Sequence, residues 1–393
     1  MPEPWGRELN LTVSRILSRT NVRGHWSLGL RMEDRVVGLN RWDIFPRETV
    51  LVAGPCSAES PEQVMSTAVA LKNSRIDLFR AGVWKPRTHP GSFEGAGVPA
   101  LKWVKQAGIA AGLPVTVEVA EPAHVEAALK AEIDVLWIGA RTTVNPFSVQ
   151  AIADVLRGTN TRVMVKNPVS PDIELWIGSI ERLLGVGLTR IIAVHRGFTT
   201  SRETVFRNAP NWRIPIELKT RISGIPLICD PSHICGKRSL IHSVAQQAVD
   251  LLFDGFMIEV HLDPAHALSD SKQQITPDQL RTLLKSLRYT RPRPEAVERD
   301  EAIKRLREKI DMVDGQLVDL LAERMDAVRK IGELKLEQGI STYQPLRWRE
   351  IMESRARRAR EKGLSEEFLL RVYQHIHEEA LRQQEMLHSG GNS

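Results

Sequence analysis

The chain has 393 residues, of which 42% are apolar, and this is enough for about two domains with real hydrophobic cores. It has no apolar run near the roughly 18 residues that a membrane span needs, and its three cysteines favour a reducing compartment over a disulfide framework. The net charge of +6 comes without a nucleic-acid-binding motif, and anionic metabolites explain it equally well. We therefore expect a cytoplasmic protein that binds neither membrane nor nucleic acid.

The first 35 residues contain several arginines set among Ser and Thr, with little periodic apolar pattern. Such a composition is typical of a disordered extension, which we predict over residues 1–35, and a transit peptide is the alternative. Met32 is an alternative translation start, so residues 1–31 need not belong to the native protein.

From Thr49 onward, short β-branched or apolar runs alternate with helical stretches. Eight strands are predicted: Val50–Ala53, Asp77–Arg80, Pro114–Glu118, Val135–Gly139, Val163–Lys166, Ile191–His195, Leu227–Asp230 and Phe256–Val260. Helix starts are marked by a polar cap before a proline, as at Ser60 and Thr276. Eight such units predict an α/β fold, a (β/α)8 TIM barrel over residues 36–288. A doubly wound open sheet is the alternative, although Gly54-Pro55-Cys56 is not its usual glycine fingerprint.

Functional groups of such a barrel lie at the carboxyl ends of its strands. Those ends and the loops after them carry Cys56, Arg80, Lys85, Glu118, Arg141, Lys166, His195, Arg196, Asp230, His233 and Glu259. Several cations in one barrel mouth repel each other unless an anion offsets them. The pattern therefore predicts an anionic substrate.

Four residues of the same loops are candidate ligands of one divalent metal ion: Cys56, His233, Glu259 and Asp270. A thiolate, an imidazole and two carboxylates suit a transition ion, and they do not select among manganese, iron, cobalt and zinc. Spacing alone leaves His261 and His266 as equally plausible ligands.

Five segments resemble the signature segments of 3-deoxy-D-arabino-heptulosonate 7-phosphate (DAHP) synthases of the short barrel form. They are Gly54-Pro55-Cys56-Ser57, Lys85-Pro86-Arg87-Thr88, Ile138-Gly139-Ala140-Arg141, Asp230-Pro231-Ser232-His233 and Leu268-Ser269-Asp270. The resemblance implies that Cys56, His233, Glu259 and Asp270 bind the metal. It implies that Arg80, Lys85, Arg141, Lys166 and Arg196 hold phosphoenolpyruvate, and that Arg87 and Thr88 hold erythrose 4-phosphate.

The same resemblance suggests catalytic roles for two residues. Lys85 would deliver a proton to the developing alkoxide, and Glu118 or a metal-bound water would assist the hydration step. The sequence departs from the family at Asn167-Pro168, where many relatives have Arg-Gly, and at Cys235, where glycine is common. The related 3-deoxy-manno-octulosonate 8-phosphate synthases are the close alternative, but their sugar-phosphate loop differs from Lys85-Pro86-Arg87-Thr88.

A second region follows a proline-rich linker predicted over residues 289–299. Three helices are expected over residues 300–388, before a disordered tail at 389–393. The first helix has an apolar seam at spacings of three and four: Ile303, Leu306, Ile310, Val313, Leu317 and Leu320. Such helices cannot bury their seams alone, so we predict a homodimer through this region. Continuing the seam reaches Arg324, a charge that needs an anionic partner.

This region resembles the all-helical chorismate mutases in Leu306-Arg307-Glu308-Lys309-Ile310, Leu321-Ala322-Glu323-Arg324 and Arg382-Gln383-Gln384. The resemblance implies that Arg307, Arg324 and Arg347 bind the two carboxylates of chorismate, while Lys335 and Gln384 donate to its ether oxygen. Arg307 lies about 25 Å along the helix from Arg324, so it would come from the partner chain. Trp348 stands where many mutases have glutamate, and Gln383 is the alternative to Gln384.

A synthase followed by a mutase resembles the bifunctional shikimate-pathway enzymes. Two roles stay open for the helical region: it catalyses, with or without feedback by prephenate or chorismate, or it is a non-catalytic dimerisation and effector-binding module. A metabolite-binding or scaffold protein without enzymatic activity is the remaining alternative.

Overall fold

The structure is a computed structural model, and it describes residues 49–86, 91–201, 204–289, 300–341 and 343–389. The chain divides into two compact units, residues 1–290 and 291–393, which we call the barrel unit and the helical unit. The predicted extension at 1–35 lies outside the described residues, as do the predicted linker apart from Tyr289 and the predicted tail apart from Ser389. The predicted domain limits stay predictions.

Eight parallel strands of the barrel unit close into one barrel in sequence order, with β8 paired to β1. The strands are β1 Val50–Gly54, β2 Leu78–Arg80, β3 Val115–Val119, β4 Val135–Ile138, β5 Arg162–Lys166, β6 Ile191–His195, β7 Leu227–Cys229 and β8 Gly255–Glu259. All eight predicted strands are present with ends that differ by one residue at most. The closed sheet confirms the barrel and excludes the doubly wound alternative.

Helices follow the strands around the barrel. They are α1 Pro61–Leu71, α2 Val98–Ala111, α3 Pro122–Lys130, α4 Ala140–Thr143, α5 Pro146–Leu156, α6 Ile173–Gly185, α7 Arg213–Arg221, α8 Pro231–Cys235, α9 Ile241–Asp250 and α10 Pro277–Ser286. Both predicted caps are formed: Ser60 accepts from Gln63 N, and Thr276 forms a capping box with Gln279. These bonds satisfy backbone donors that a helix start leaves free.

Strand side chains alternate between the two faces of the barrel wall. One set fills the interior: Val50, Val52, Leu78, Val135, Trp137, Met164, Ile192, Val194, Ile228 and Met257. The alternate residues, such as Leu51, Phe79, Val117 and Leu136, pack against the surrounding helices. Because the side-chain period of a strand is two, the interior set fixes which residue at each strand end points into the barrel mouth.

The helical unit contains α11 Glu301–Glu337, α12 Pro345–Glu361 and α13 Glu366–Ser389, and α13 packs against both other helices. Its buried residues are few: Val328, Gly332, Ala359, Ala380 and Gln384. Within the described chain, no helix is long and apolar enough to cross a membrane.

Candidate active sites

Charged side chains form the top layer of the barrel interior. Arg80, Glu118, Lys166 and Glu259 occupy the inward-facing positions at the ends of β2, β3, β5 and β8, and Asp230 directly follows β7. All but Glu118 are buried. Trp137 lies beneath two of the cations, with the Arg80 guanidinium 4.9 Å and the Lys166 ammonium 5.9 Å from its ring. The ring face offers these desolvated cations a favourable contact.

His195 is an exception among the strand-end residues expected in the mouth. It lies on the outward face of β6, in an aromatic cluster with Trp176, Phe198, Trp212 and Phe253. The expectation was wrong for this residue because the period of two sends His195 outward and Arg196 inward.

Gly139 makes room for Glu118 at the end of β4. A Cβ atom there would lie 1.9 Å from Glu118 Oε1, so no larger residue fits while Glu118 keeps its place. Gly139 is therefore needed for Glu118 to occupy its position in the barrel mouth.

Three of the four predicted metal ligands meet in one cluster. One ligand atom from each of Cys56, Glu259 and Asp270 lies within 4.8 Å of the others. His233 Nε2 lies 3.7 Å from Glu259 Oε1 and 4.0 Å from Asp270 Oδ2, beside this cluster. His261 instead lies 3.6 Å from Glu59, and exposed His266 pairs with Asp263. The fold thus places His233, and neither of the two alternatives, next to the other three residues.

The local sequence after β7 explains the position of His233. Asp230 caps α8 by accepting from His233 N, and Pro231 opens that short helix. One turn later His233 Nδ1 comes 2.8 Å from Asp230 Oδ2. A carboxylate on one ring nitrogen orients the imidazole and leaves the other nitrogen for a metal.

Further polar residues hold the two carboxylates in place. Gln273 Nε2 donates to Glu259 Oε2 at 2.6 Å and to Asp270 Oδ2 at 3.1 Å. Arg207 pairs with Asp270 at 3.1 Å and donates to Gln273 at 2.9 Å. Asp270 has a positive φ of 43°, an uncommon backbone state for a residue other than glycine. Such outliers cluster at functional sites.

Buried counter-charges control the ionisation of this cluster. Burial opposes ionisation of Asp230, but His233 and Lys166 outweigh it and hold the pKa of that carboxyl well below its usual range. Burial likewise opposes ionisation of Glu259, yet His233 and Arg80 lower its pKa. Burial and then the charge of Glu259 raise the pKa of the Cys56 thiol to about 12. Cys56 is therefore a thiol, even with Lys85 nearby, unless a metal ion binds beside it.

An open cavity of about 430 Å³ lies over this cluster. Its cationic lining consists of Lys85, Arg141, Lys166, Arg196 and Arg207, while Glu118, His233 and Asp270 line it as well. Burial lowers the pKa of Arg196 only to about 10, so its guanidinium stays charged at neutral pH. A concave surface with this charge suits a substrate that carries carboxylate and phosphate groups.

Lys85 joins the metal cluster to the cavity. Its Nζ lies 3.1 Å from Cys56 Sγ and 3.1 Å from the Cys56 carbonyl oxygen. Arg141 donates to the carbonyl of Pro86 at 2.8 Å and so ties two predicted phosphoenolpyruvate-binding loops together. Arg87 and Thr88 follow directly, but they lie outside the described residues.

Arg80 is the predicted phosphoenolpyruvate-binding residue that does not line the cavity. It is buried and pairs with Glu259 at 3.2 Å. Burial alone would lower the pKa of its guanidinium, but Glu259 and Asp230 raise it. Its Nε and Nη1 atoms are buried and have no hydrogen-bond partner among the described residues.

Sequence reasoning missed Arg207 and Gln273 and did not assign a role to Asp230. The sequence did offer a signal for a role of Asp230, because it is a charged residue at a strand end, three positions before His233. Arg207 lies in the long loop after β6, far from any strand end, and Gln273 carries no charge. No pattern in the sequence distinguishes them from other loop residues.

A second cluster of polar groups lies inside the helical unit. Arg324 Nη1 from α11, Arg355 Nε from α12, and His377 Nε2 and Gln384 Oε1 from α13 are buried atoms without a hydrogen-bond partner in the described chain. Burial lowers the pKa of Arg324, and Arg355 lowers it further while Tyr373 opposes this. Two guanidinium groups brought together and partly desolvated favour an anionic ligand.

The predicted chorismate-binding residues divide between this cluster and the surface. Arg324 and Gln384 belong to the cluster, Lys335 is half-buried, and Arg307 is exposed. Exposed Arg347 pairs with Glu350 at 3.0 Å. Gln383 contacts Arg329 and Glu379, whereas Gln384 lies on the face of α13 that carries His377 and Ala380.

A closed parallel barrel with a thiol, an imidazole and carboxylates beside five cations defines the class of metal-dependent barrel enzymes that act on anionic substrates. Comparison with known proteins identifies the family. The DAHP synthetase I family model matches residues 46–293, so the chain belongs to that family. A chorismate mutase type II model matches residues 306–385, so a mutase domain follows the synthase domain.

Individual relatives agree with this assignment for the barrel. A phospho-2-dehydro-3-deoxyheptonate aldolase of Thermotoga maritima is 31% identical over 256 residues, which are 65% of this chain and 74% of that protein. A 2-dehydro-3-deoxyphosphooctonate aldolase of Geotalea daltonii is 28% identical, over 62% of this chain and 92% of that protein. The crystal structure of Thermotoga maritima DAHP synthase matches with a TM-score of 0.55 and 30% identity, over 60% of this chain and 67% of that chain.

Proposed function

We propose that the barrel unit condenses phosphoenolpyruvate with D-erythrose 4-phosphate to DAHP and phosphate, the first step of the shikimate pathway. We propose that the helical unit rearranges chorismate to prephenate. The observation that carries the first proposal is the cluster of Cys56, Glu259 and Asp270 beside a cavity lined with cations.

The donor set fits a divalent metal ion held by Cys56, His233, Glu259 and Asp270. Glu259 Oε1 supports this fit, since it is buried, lies 3.7 Å from His233 Nε2 and, apart from its ion pair with Arg80 at 3.2 Å, has no hydrogen-bond partner among the described residues. Manganese, cobalt, iron and zinc all suit these mixed ligands. A bound ion would act as a Lewis acid on the aldehyde carbonyl.

The cations of the cavity position the substrates. Lys85, Arg141, Lys166 and Arg196 line it and would hold the carboxylate and phosphate of phosphoenolpyruvate. Arg80 is buried and does not line the cavity, so it would act on the same anion through its charge rather than by direct contact. Arg87 and Thr88 would hold erythrose 4-phosphate. Fixing both reactants in register is itself a large catalytic contribution.

In this proposal two residues of the cavity, Lys85 and Glu118, transfer protons. Carbon 3 of phosphoenolpyruvate attacks the aldehyde carbon, and the resulting alkoxide takes a proton from Lys85. Burial alone would lower the pKa of Lys85, but the Cys56 sulfur, once it is a thiolate, and the carboxylates of Glu259 and Glu118 raise it, which keeps the ammonium protonated before the reaction. Water then adds to carbon 2 and loses one proton to Glu118. As the bond from carbon 2 to the phosphate oxygen breaks, the new hydroxyl becomes the ketone and its proton leaves with the phosphate, while the proton on Glu118 restores the ammonium of Lys85.

Phosphate release by the full chain tests the synthase proposal. After metal removal and reloading with one ion at a time, we expect release from phosphoenolpyruvate with erythrose 4-phosphate but not with arabinose 5-phosphate. Cys56→Ala should lose bound metal and at least about 1,000-fold in turnover. Cys229→Ala, a buried cysteine on the outward face of β7, is the matched control and should keep both. A preference for the five-carbon aldehyde would instead support the octulosonate reaction.

A second variant separates proton transfer from metal binding. Lys85→Met should remove turnover while the protein still binds one metal ion per barrel. An active Lys85→Met enzyme would exclude Lys85 as the proton donor.

The mutase reaction needs no covalent or acid-base catalyst, because preorganised donors and a compact bound substrate suffice. Arg324 and Arg347 would bind carboxylates, and Lys335 and Gln384 would donate to the ether oxygen. Gln384 is preferred over Gln383 because Gln383 already contacts Arg329 and Glu379. Prephenate formation from chorismate, followed spectroscopically with the full chain, tests this proposal.

The exposed seam of α11 favours a second role, dimerisation. Leu306, Ile310, Val313, Leu317 and Leu320 are between 42% and 61% exposed in the single chain. A second copy of this helix would cover them and would bring its Arg307 to the site. The alternative, in which this module only dimerises and binds prephenate or chorismate as an effector of the barrel, predicts effector-dependent synthase inhibition without prephenate formation.

A further inference from the structure

The ring of His377 is held flat against Trp348 inside the helical unit. The two ring centroids are 4.1 Å apart and the planes differ by 13°. Tyr343 adds a third ring, 6.2 Å from His377. Trp348 from α12 and Tyr343 from the segment before that helix thus contact an imidazole of α13 that belongs to no predicted site.

His377 belongs to the cluster of polar groups in the helical unit both by its position and by its chemistry. It lies on the same face of α13 as Tyr373, Ala380 and Gln384, at spacings of three and four. Its Nε2 atom is buried and has no hydrogen-bond partner among the described residues. Burial, and then the charge of Arg324, lowers the pKa of His377, so the ring is neutral and can donate or accept one hydrogen bond.

The side chain of Trp348 cannot itself accept a hydrogen bond from a ligand, because an indole only donates. The indole instead supports His377 by stacking. Ala380, one turn further along the same face of α13, has no polar side-chain atom that could take this role.

We propose that His377 Nε2 binds a ring hydroxyl of the cyclic dicarboxylate that occupies the helical unit, and that Trp348 orients the imidazole for this contact. The inference rests on the proposed mutase site and names a specificity-determining residue in it. Arg324 binds a carboxylate of the ligand, and His377 distinguishes ligands that carry the hydroxyl from those that lack it.

The test uses the full chain with chorismate and with an analogue in which hydrogen replaces the ring hydroxyl. His377→Phe keeps a flat ring on Trp348 but lacks Nε2, and we expect kcat/KM for chorismate to fall about tenfold or more. The same variant should convert the analogue as well as the unsubstituted chain does. His377→Gln, which offers an amide nitrogen at a similar reach, should recover part of the preference for chorismate.

His375→Phe is the matched control, since His375 lies two residues away, is exposed and pairs with Glu378. It should leave both substrates unaffected. Equal losses for chorismate and the analogue in His377→Phe would show a merely structural role and overturn the proposal, and so would no loss at all. If His377→Phe does not fold, a chain with His377→Gln that shows no hydroxyl preference overturns it equally.

Calorimetric binding of the two compounds separates this inference from the mutase proposal. A chain that binds chorismate more tightly than the analogue but does not convert it contradicts the mutase activity and supports the His377 contact. A chain that forms prephenate but binds the two compounds equally well supports the mutase activity and contradicts the His377 contact.

Discussion

The barrel unit and the helical unit differ in how their buried charged side chains are paired. In the barrel, Arg80 pairs with Glu259 and Lys166 pairs with Asp230, so these two buried cations have an anion of the same chain beside them, whereas buried Arg196 donates to Asn208. In the helical unit, Arg324 and Arg355 approach each other, and polar atoms around them receive no hydrogen bond from the described residues. Arg80 and Lys166 are thus paired before substrate arrives, although the cavity keeps a cationic lining, whereas each guanidinium of the helical site keeps a buried nitrogen atom without a hydrogen-bond partner among the described residues.

The two units also differ in how completely they bury their apolar side chains. The barrel interior and its helical layer bury their strand residues almost completely, but α11 leaves its apolar seam exposed. The exposed apolar seam of α11 is the surface that the proposed homodimer would cover.

The largest effect should come from breaking the charge pairing of the barrel. Asp230→Asn removes the counter-charge of Lys166 and the partner of His233, both 2.8 Å away. We expect synthase turnover to fall about 1,000-fold, because a buried cation loses its partner and a proposed metal ligand loses its orientation. Phosphate release measures this, while chorismate conversion by the same protein should not change. Asp263→Asn, at an exposed pair with His266, is the control.

A reciprocal loss is expected from Arg324→Gln. Without this guanidinium, the helical site should lose about 100-fold in kcat/KM for chorismate, since a charged hydrogen bond to a carboxylate disappears. Synthase turnover should stay within twofold. Arg371→Gln, which changes an exposed partner of Glu367, is the control. Equal losses in both activities would contradict the independence of the two sites.

A charge on the open seam should weaken association of the chains. Leu317→Asp is expected to raise the dimer dissociation constant about 30-fold or more, because a carboxylate would be buried between helices. Sedimentation at several concentrations measures this. Val318→Asp is the matched control, as Val318 is 65% exposed, against 52% for Leu317, but lies off the seam. No change in assembly with Leu317→Asp would exclude the seam as the interface.

Mixed dimers sharpen the same comparison. If Arg307 acts across the interface, an inactive Arg307→Gln chain mixed with an inactive Arg324→Gln chain should recover roughly a quarter of mutase activity through hybrid dimers. Mixing should leave synthase activity unchanged. Failure to recover, in dimers shown to exchange, would place Arg307 in its own chain's site.

The smallest effect concerns acid stability of the barrel. Burial lowers the pKa of His195 to about 3 in the folded chain, against about 6.5 when unfolded. Between these values the unfolded chain binds the extra proton, so the free energy of unfolding falls as pH drops, by at most about 1.4 kcal/mol per pH unit. Above about pH 6.5 this contribution is constant.

Urea unfolding at pH 7, 6 and 5 measures this slope. His195→Leu should flatten it, although Arg196 and Asp230 nearby continue to contribute. His266→Leu is the control, because that ring is exposed and its loss should leave the slope unchanged.

Much of the barrel and its site could be predicted because both follow short-range rules. The eight strands follow from alternating apolar runs, and their carboxyl ends indicate where Lys85, Glu118, Lys166 and Glu259 meet. His195 shows the limit of that rule, since a strand-end position alone does not give the face. The four proposed metal ligands lie far apart in sequence, and only the resemblance to a family joined them in advance.

The sequence by itself determined the order of the two units, the alternation of eight strands with helices and the cationic character of the strand ends, because periodicity and turn chemistry are local. The tertiary structure decided that the sheet closes. Only the tertiary structure decided that Asp230 serves both Lys166 and His233, that Arg207 and Gln273 hold Asp270, and that His377 stacks on Trp348. These contacts depend on how separate elements approach each other. Packing between the elements determines how they approach each other, and a short sequence pattern does not specify that packing.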